Sequence, residues 1–225
     1  MNAAPSADNL RQGLPGRRLG GGTRSDRIFA GDYAYLTALV TSDNVSVTAA
    51  ERPTLLFYVP EMLSANAVEF VLRDANDELV YDATFEVGAE GGVVRVDAAV
   101  AEMPALTRNE NYSWYFSIVP DAADRAHDVA VHGSVRRVDP AKWLHQQAID
   151  VALLDELPSL APLEKVRVLH QQANMWHDAV LLLDAFHRAE PHNTAIAAEW
   201  SQLLESAGLV TVTSTSQASI QLGAN

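Results

Sequence analysis

Cysteine is absent from the 225 residues, which excludes a disulfide framework and thiolate chemistry. No apolar run is long enough to cross a bilayer as a helix. The opening residues, Met1 to Asp8, lack the basic, then apolar, then small-residue order of a secretory signal. No Gly-x-Ser-x-Gly, no His-Glu-x-x-His and no glycine loop followed by Lys-Ser or Lys-Thr occurs. The motifs of a nucleophile elbow, a zinc protease and a phosphate-cradling loop are therefore missing together. A basic face is missing too. The formal charge is −13, and Arg11, Arg17, Arg18, Arg24 and Arg27 against Asp8 and Asp26 leave residues 1–27 at +3. The remainder thus carries −16, which argues against nucleic-acid binding because phosphate neutralisation needs continuous positive charge.

What is present is close to half apolar, at 48%, enough for a substantial core in one domain or two small ones. Residues 1–27 form a Gly/Arg-rich arm with five glycines and Pro15 between Gly13 and Arg24. That composition predicts no regular secondary structure. Arg17, Arg18 and Arg24 are its candidate contacts to an anion or a partner, with a strap onto acidic protein surface preferred to phosphate or sulfated glycan.

Residues 28–138 read as all-β. Short runs rich in aromatic and branched residues span 33–40, 53–59, 68–72, 78–87, 93–100, 112–119 and 128–138. Val68, Phe70 and Leu72 share one parity, as do Tyr112, Trp114, Phe116 and Ile118, so each set can face a core. Asp74-Ala-Asn-Asp77 supplies turn chemistry for a hairpin. About seven strands without intervening helices predict an antiparallel, immunoglobulin-like β-sandwich.

The period changes at Asp139-Pro140, an N-cap followed by a proline suited to the first helical position. Residues 139–209 read as a helical region of four helices, the first reaching to Pro158 and the last stopped by Gly208. Trp176 to Arg188 and the Glu190–Asn193 turn look like half of a tetratricopeptide repeat. One such unit is too few for a solenoid, so these helices pack on the sandwich or on each other. Residues 210–225 form a tail in which Val210, Val212, Ala218, Ile220 and Leu222 share one parity against Thr, Ser and Gln on the other. This is a strand pattern that pairs with its own sandwich edge, is added to a neighbour's, or stays disordered. The fold class expected is α+β.

Several stretches resemble a family of exported, mostly cyanobacterial-type proteins catalogued as domain of unknown function 928. They are Gly13 to Arg24, Glu51 to Pro60, Asn111 to Val119, Trp176 to Ala179 and Ala198 to Leu209. The resemblance implies export, a β-sandwich with C-terminal helices, and no assigned reaction or catalytic residue. On that basis the chain is expected to be a mature form given an initiator methionine, sited in the periplasm or at the cell surface.

Remaining candidates have plainer readings. Asp121, Asp124, His127 and Asp128 share one loop, but their spacing is not that of an EF-hand. His170 and His177 are seven apart without a third ligand, and read as solvated or capping. Ser113 and Ser117 alternate with core aromatics and face away from them. Three of the four tryptophans read as packing. No catalytic residue, metal or cofactor is expected. The function expected is a non-enzymatic envelope or extracellular subunit working through protein contacts, self-assembling by strand addition of its termini. The alternative is a monomeric periplasmic ligand-binding or chaperone-like module with a groove between sandwich and helices.

Overall fold

The computed structural model describes residues 17–20, 28–30, 34–209 and 219–222. Among the described residues, ten strands form two five-stranded sheets. The first sheet has the order β1 (Leu19–Gly20), β2 (Leu36–Ala38), β4 (Thr54–Val59), β7 (Gly92–Asp97), β10 (Ser219–Leu222). The second has the order β3 (Val45–Thr48), β9 (Val129–Arg137), β8 (Asn111–Val119), β5 (Asn66–Arg73), β6 (Leu79–Val87). All pairings are antiparallel except β3 with β9 and β10 with β7.

The alternating residues of β5 and β8 do what their parity predicts. Val68, Phe70, Leu72, Tyr112, Trp114, Phe116 and Ile118 are all buried between the sheets. From the opposite sheet Phe57 stacks on Phe116 with centroids 4.0 Å apart and meets Trp114 edge-on at 5.4 Å, geometries that aromatic rings favour. Gly133 stands opposite Trp114 on β9 and leaves room for its indole. Tyr112 sits near the start of β8, and its hydroxyl accepts from the Thr107 N–H at 3.0 Å. In the β5–β6 hairpin Asp74 Oδ1 accepts from the N–H groups of Asn76 and Glu78, the Asx chemistry its turn requires.

β4 and β7 lack alternation for a physical reason. Leu55, Phe57, Val94 and Val96 face the inter-sheet core, whereas Leu56 and Val93 face a second core made with the helices. A strand covered on both faces reads as a continuous apolar run. The molecule therefore has three layers: sheet, sheet, helices.

The helices are α1 (Pro140–Gln146), α2 (Leu153–Glu156), α3 (Pro162–Arg167) running into a π-helical turn (Val168–Gln172), α4 (Trp176–Ala189) and α5 (Thr194–Ser206). Asp139 caps α1 through the Lys142 N–H, with Pro140 at the first position. The expected long first helix is broken instead at Ala148, whose φ of 58° turns the chain while the Ile149 N–H returns to the Leu144 carbonyl. Alanine does not announce such a turn; glycine would have. At the far end Gly208 takes φ 70° and closes α5 as expected.

Arg95 on β7 points into the helical layer. It is 3% exposed and makes a bidentate pair with Asp184 of α4, which is also 3% exposed. Its third nitrogen donates to the Val93 carbonyl. Asp178, in the first turn of α4, accepts from Thr48 Oγ1 at 2.5 Å and from the Ala49 N–H at 3.0 Å. These two carboxylates clamp one helix to both sheets.

The arm departs from its expectation of no regular structure. Leu19 and Gly20 pair with β2, and Arg17 bridges His132 of β9 through two backbone hydrogen bonds of 2.8 and 2.9 Å. The segment joins the two sheets where β3, whose pairing starts at Ser134, no longer covers β9.

Candidate functional site

Between the approach to β3 and the start of the helical layer lies a cleft of about 320 Å³. One wall is Thr41, Ser42 and Asp43 of the turn before β3 with Val45, Ser46 and Val47 of the strand; the other is Trp143, Gln147, Asn174, Trp176 and His177. The turn is built by Asp43, whose Oδ1 accepts from the Thr41 hydroxyl at 2.5 Å and from the Val45 N–H at 3.3 Å. Asn44 takes φ 58° and its N–H donates to the Thr41 carbonyl. Both indole N–H groups are engaged inside the protein, Trp143 with the Ala173 carbonyl and Trp176 with the Leu203 carbonyl.

Two polar side chains beside this cleft, His177 and Ser46, are buried with little hydrogen bonding. His177 is 2% exposed, its ring sealed from solvent beside the Thr54 carbonyl, with neither nitrogen in a hydrogen bond of good geometry. Ser46 is equally buried, with its hydroxyl unpaired. Burial pushes the His177 pKa below its ordinary value, with Asp178 and the Thr54 carbonyl opposing. The imidazole is therefore neutral at neutral pH, one nitrogen a donor and the other an acceptor. Ser46 and His177 share the cleft, but no hydrogen bond joins them, so they do not form a nucleophile–base pair in this arrangement. Asp43 is the one side chain of full charge among the lining residues.

The residues singled out by sequence lie elsewhere. Arg18 donates to the carbonyls of Ala207 (2.5 Å), Val40 (3.3 Å) and Gly208 (3.4 Å). Two of those carbonyls end α5, where a cation is favoured by the helix dipole. Arg18 thus meets carbonyl oxygens of its own chain rather than carboxylates. Arg17 donates from Nε to the Leu19 carbonyl, and Arg24 falls outside the described residues. In the tail, Ile220 and Leu222 lie on β10 opposite Val94 and Val96; Val210, Val212 and Ala218 fall outside the described residues.

The Asp121–Asp128 loop spends its carboxylates locally. Asp128 and Glu69 hold Arg125, Asp124 caps a 3₁₀ turn and meets His127 Nδ1 at 3.1 Å, and Asp121 accepts from the Ala123 N–H. Among the described residues no group of three His, Asp or Glu side chains is placed to hold a metal, and no helix is long and apolar enough to cross a membrane.

His177 is the departure that matters, since a solvated or capping histidine was expected there. A histidine at the start of an apolar helix gives no sequence sign of burial. Ser46 and the β3 approach were also missed, because Thr-Ser-Asp-Asn reads as an ordinary loop. All four tryptophans are buried, at 0 to 7% exposure. Two of them also line the cleft.

Fold and cleft together define an α+β protein of two mostly antiparallel sheets, with helices over the outer face of one and a cleft beside them. The chain belongs to the family described as Domain of Unknown Function (DUF928), whose sequence profile matches residues 19–217. No curated protein matches it significantly.

Proposed function

We propose that this protein is an exported, non-enzymatic envelope or extracellular subunit that works through protein–protein contacts, its terminal strand able to complete the sheet of a second copy. The observation that carries this reading is the in-register pairing of Ser219–Leu222 with Val93–Val96. Without β10, β7 would leave a row of unpaired backbone groups at the sheet edge, a surface that recruits strands. The same backbone bonds form whether the strand comes from its own chain or a neighbour's. Intramolecular and intermolecular pairing then compete largely through effective concentration. Addition to a neighbour is heterologous and builds rings or filaments rather than a closed dimer.

The body is taken as immunoglobulin-like. Supporting this are the parallel β3–β9 pair, the strand orders of the two sheets and the Tyr112 hydroxyl tied back to Thr107, the device known as a tyrosine corner. The α4–α5 pair is taken as a single tetratricopeptide-like unit docked on it.

Size-exclusion with light scattering, on the full chain and on one ending at Leu209, tests the assembly. The expected result is a concentration-dependent multimer for the full chain and a folded monomer for the shorter one. Identical masses for the two sink the tail's role. A second reading, a monomeric ligand-binding module, is favoured by the cleft between the β3 approach and the helices. Under it, a ligand of the cleft raises the melting temperature of a monomer.

A further inference from the structure

We propose that the outer edge of β6 receives an extended, basic segment of a protein partner, which joins the second sheet as a further strand. The proposal rests on the protein-contact reading and adds a second contact surface with the chemistry of its partner.

A sheet edge carries unpaired backbone groups that recruit strands unless it is short, blunted or covered. Three of the four edges here are managed in that way. β1 has two residues, and the backbone bonds between Arg17 and His132 tie its end to the other sheet. β10 has four residues. β3 also has four; Asp43 takes the Val45 N–H at its start and Asp178 takes the Ala49 N–H just past its end. The fourth edge, β6, is nine residues long and pairs on one side only, with β5. Among the described residues no backbone hydrogen bond joins Asp82–Glu86 to any other element. Leu-Val-Tyr-Asp-Ala-Thr-Phe-Glu-Val contains no proline, glycine or lysine to blunt it. Its one irregularity, the extra Val80 at the Leu72/Arg73 step, leaves Tyr81–Val87 in unbroken register.

Side-chain parity selects the partner. Tyr81, Ala83 and Phe85 stand opposite Leu72, Phe70 and Val68 and share their inward face. Asp82, Thr84 and Glu86 are on the outward face and exposed. Among the described residues neither carboxylate has an ion pair, and the arginines of β5 and the Asp121–Asp128 loop are spent on Asp77, Glu69 and Asp128. A strand laid along this edge meets Asp82 and Glu86 with Lys or Arg four residues apart, and meets Ala83 and Phe85 with apolar residues between them. Neither β6 itself nor residues 210–222 contain a lysine or arginine. A second β6 or a neighbour's terminal strand therefore leaves the two acids unanswered. The net charge of −13 works the same way, attracting a cationic segment and repelling a second copy.

The test titrates the acetylated, amidated peptide Gly-Lys-Val-Thr-Val-Lys-Gly into the ¹⁵N-labelled full chain, with a counterpart carrying Glu in place of each Lys. The expected result is a saturable shift and slowed hydrogen exchange of amides within residues 82–86, with the basic peptide bound about tenfold tighter than the acidic one. Raising salt from about 0.05 to 0.5 M should narrow that preference several-fold, because the charges are exposed. Asp82→Lys/Glu86→Lys changes two solvent-facing residues, so it should keep the urea midpoint and reverse the preference. Equal affinity for the two peptides, or a preference that survives the charge reversal, overturns the basic partner. Shifts confined to other elements, or none at all, overturn the site. Shifts of residues 82–86 that grow with protein concentration alone give the edge to a second copy and overturn the proposal as well. The assembly by β10 is judged separately, by the mass of the full and shortened chains, so either can fail while the other stands.

Discussion

A Cβ added at Gly133 would come within 2.5 Å of the Trp114 ring and 2.8 Å of the Asn44 carbonyl oxygen. Neither neighbour is the loose end of a flexible chain: the indole is fully buried against Phe57, and the carbonyl is bonded to the Ser134 N–H. Gly133→Ala should therefore destabilise by about 1–3 kcal/mol, the cost of overpacking a filled core, read as a lower urea midpoint with unchanged slope. An unchanged midpoint would show that Trp114 repacks freely. Arg18 carries a different kind of energy. Arg18→Met keeps the aliphatic stem and removes the donors to the end of α5. A loss of about 1–2 kcal/mol is expected from charge-assisted bonds to carbonyls at a helix C-terminus. Faster amide exchange in the last turn of α5 would locate the effect there.

Between elements, the Arg95–Asp184 pair joins β7 to α4 where water does not reach. The two partners are not equivalent. Asp184 also accepts from Arg188 Nε at 3.2 Å, so Arg95→Met leaves the carboxylate one cation. Asp184→Leu leaves a 3% exposed guanidinium with only the Val93 carbonyl. Breaking a buried pair from one side costs about 3–5 kcal/mol, and the aspartate change should fall at the upper end. The double variant Arg95→Met/Asp184→Leu should recover most of the loss, since a packed apolar pair avoids desolvating either ion. Denaturant midpoints for the three variants check this. A double variant that loses the sum of the two single losses would contradict it.

Which elements were legible follows from the same packing. β5 and β8 have one buried face, so alternation revealed them. Asp139-Pro140 revealed the start of α1 because caps and prolines act locally. β3 escaped notice because four residues, Val-Ser-Val-Thr, carry too little periodicity, and its parallel pairing with β9 is a long-range event. The two-residue β1 likewise depends on its long-range pairing with β2, and the turn at Ala148, closed by local bonds to His145 and Leu144, has no glycine to announce it. The cleft was legible only as the expectation of a groove between sandwich and helices. Its walls come from segments 96 to 136 residues apart in sequence, and nothing local marks His177 as buried.

For the molecule as a whole, pH offers a test of how histidines are housed. His132, His170, His177 and His187 all have pKa values lowered from 6.5, each chiefly by burial. The folded state then binds these protons less readily than the unfolded chain. Their contribution to stability is fully present above pH 6.5. It is lost progressively as pH falls from 6.5 toward each depressed value, because protonation favours the unfolded state. A fully differential histidine contributes a slope of about 1.4 kcal/mol per pH unit. His177, 2% exposed, should supply most of it; the other three are partly solvated and count for less. The net charge of −13 works in the opposite direction, since acidification relieves self-repulsion, but unperturbed carboxylates titrate near pH 4. Between pH 6.5 and about 5.5 the histidines should therefore decide the sign. Urea midpoints across that window are expected to fall for the parent protein and to fall much less for His177→Phe. A parent whose stability is flat or rising there would mean that the ring takes up its proton without unfolding, with Asp178 and the Thr54 carbonyl outweighing its burial.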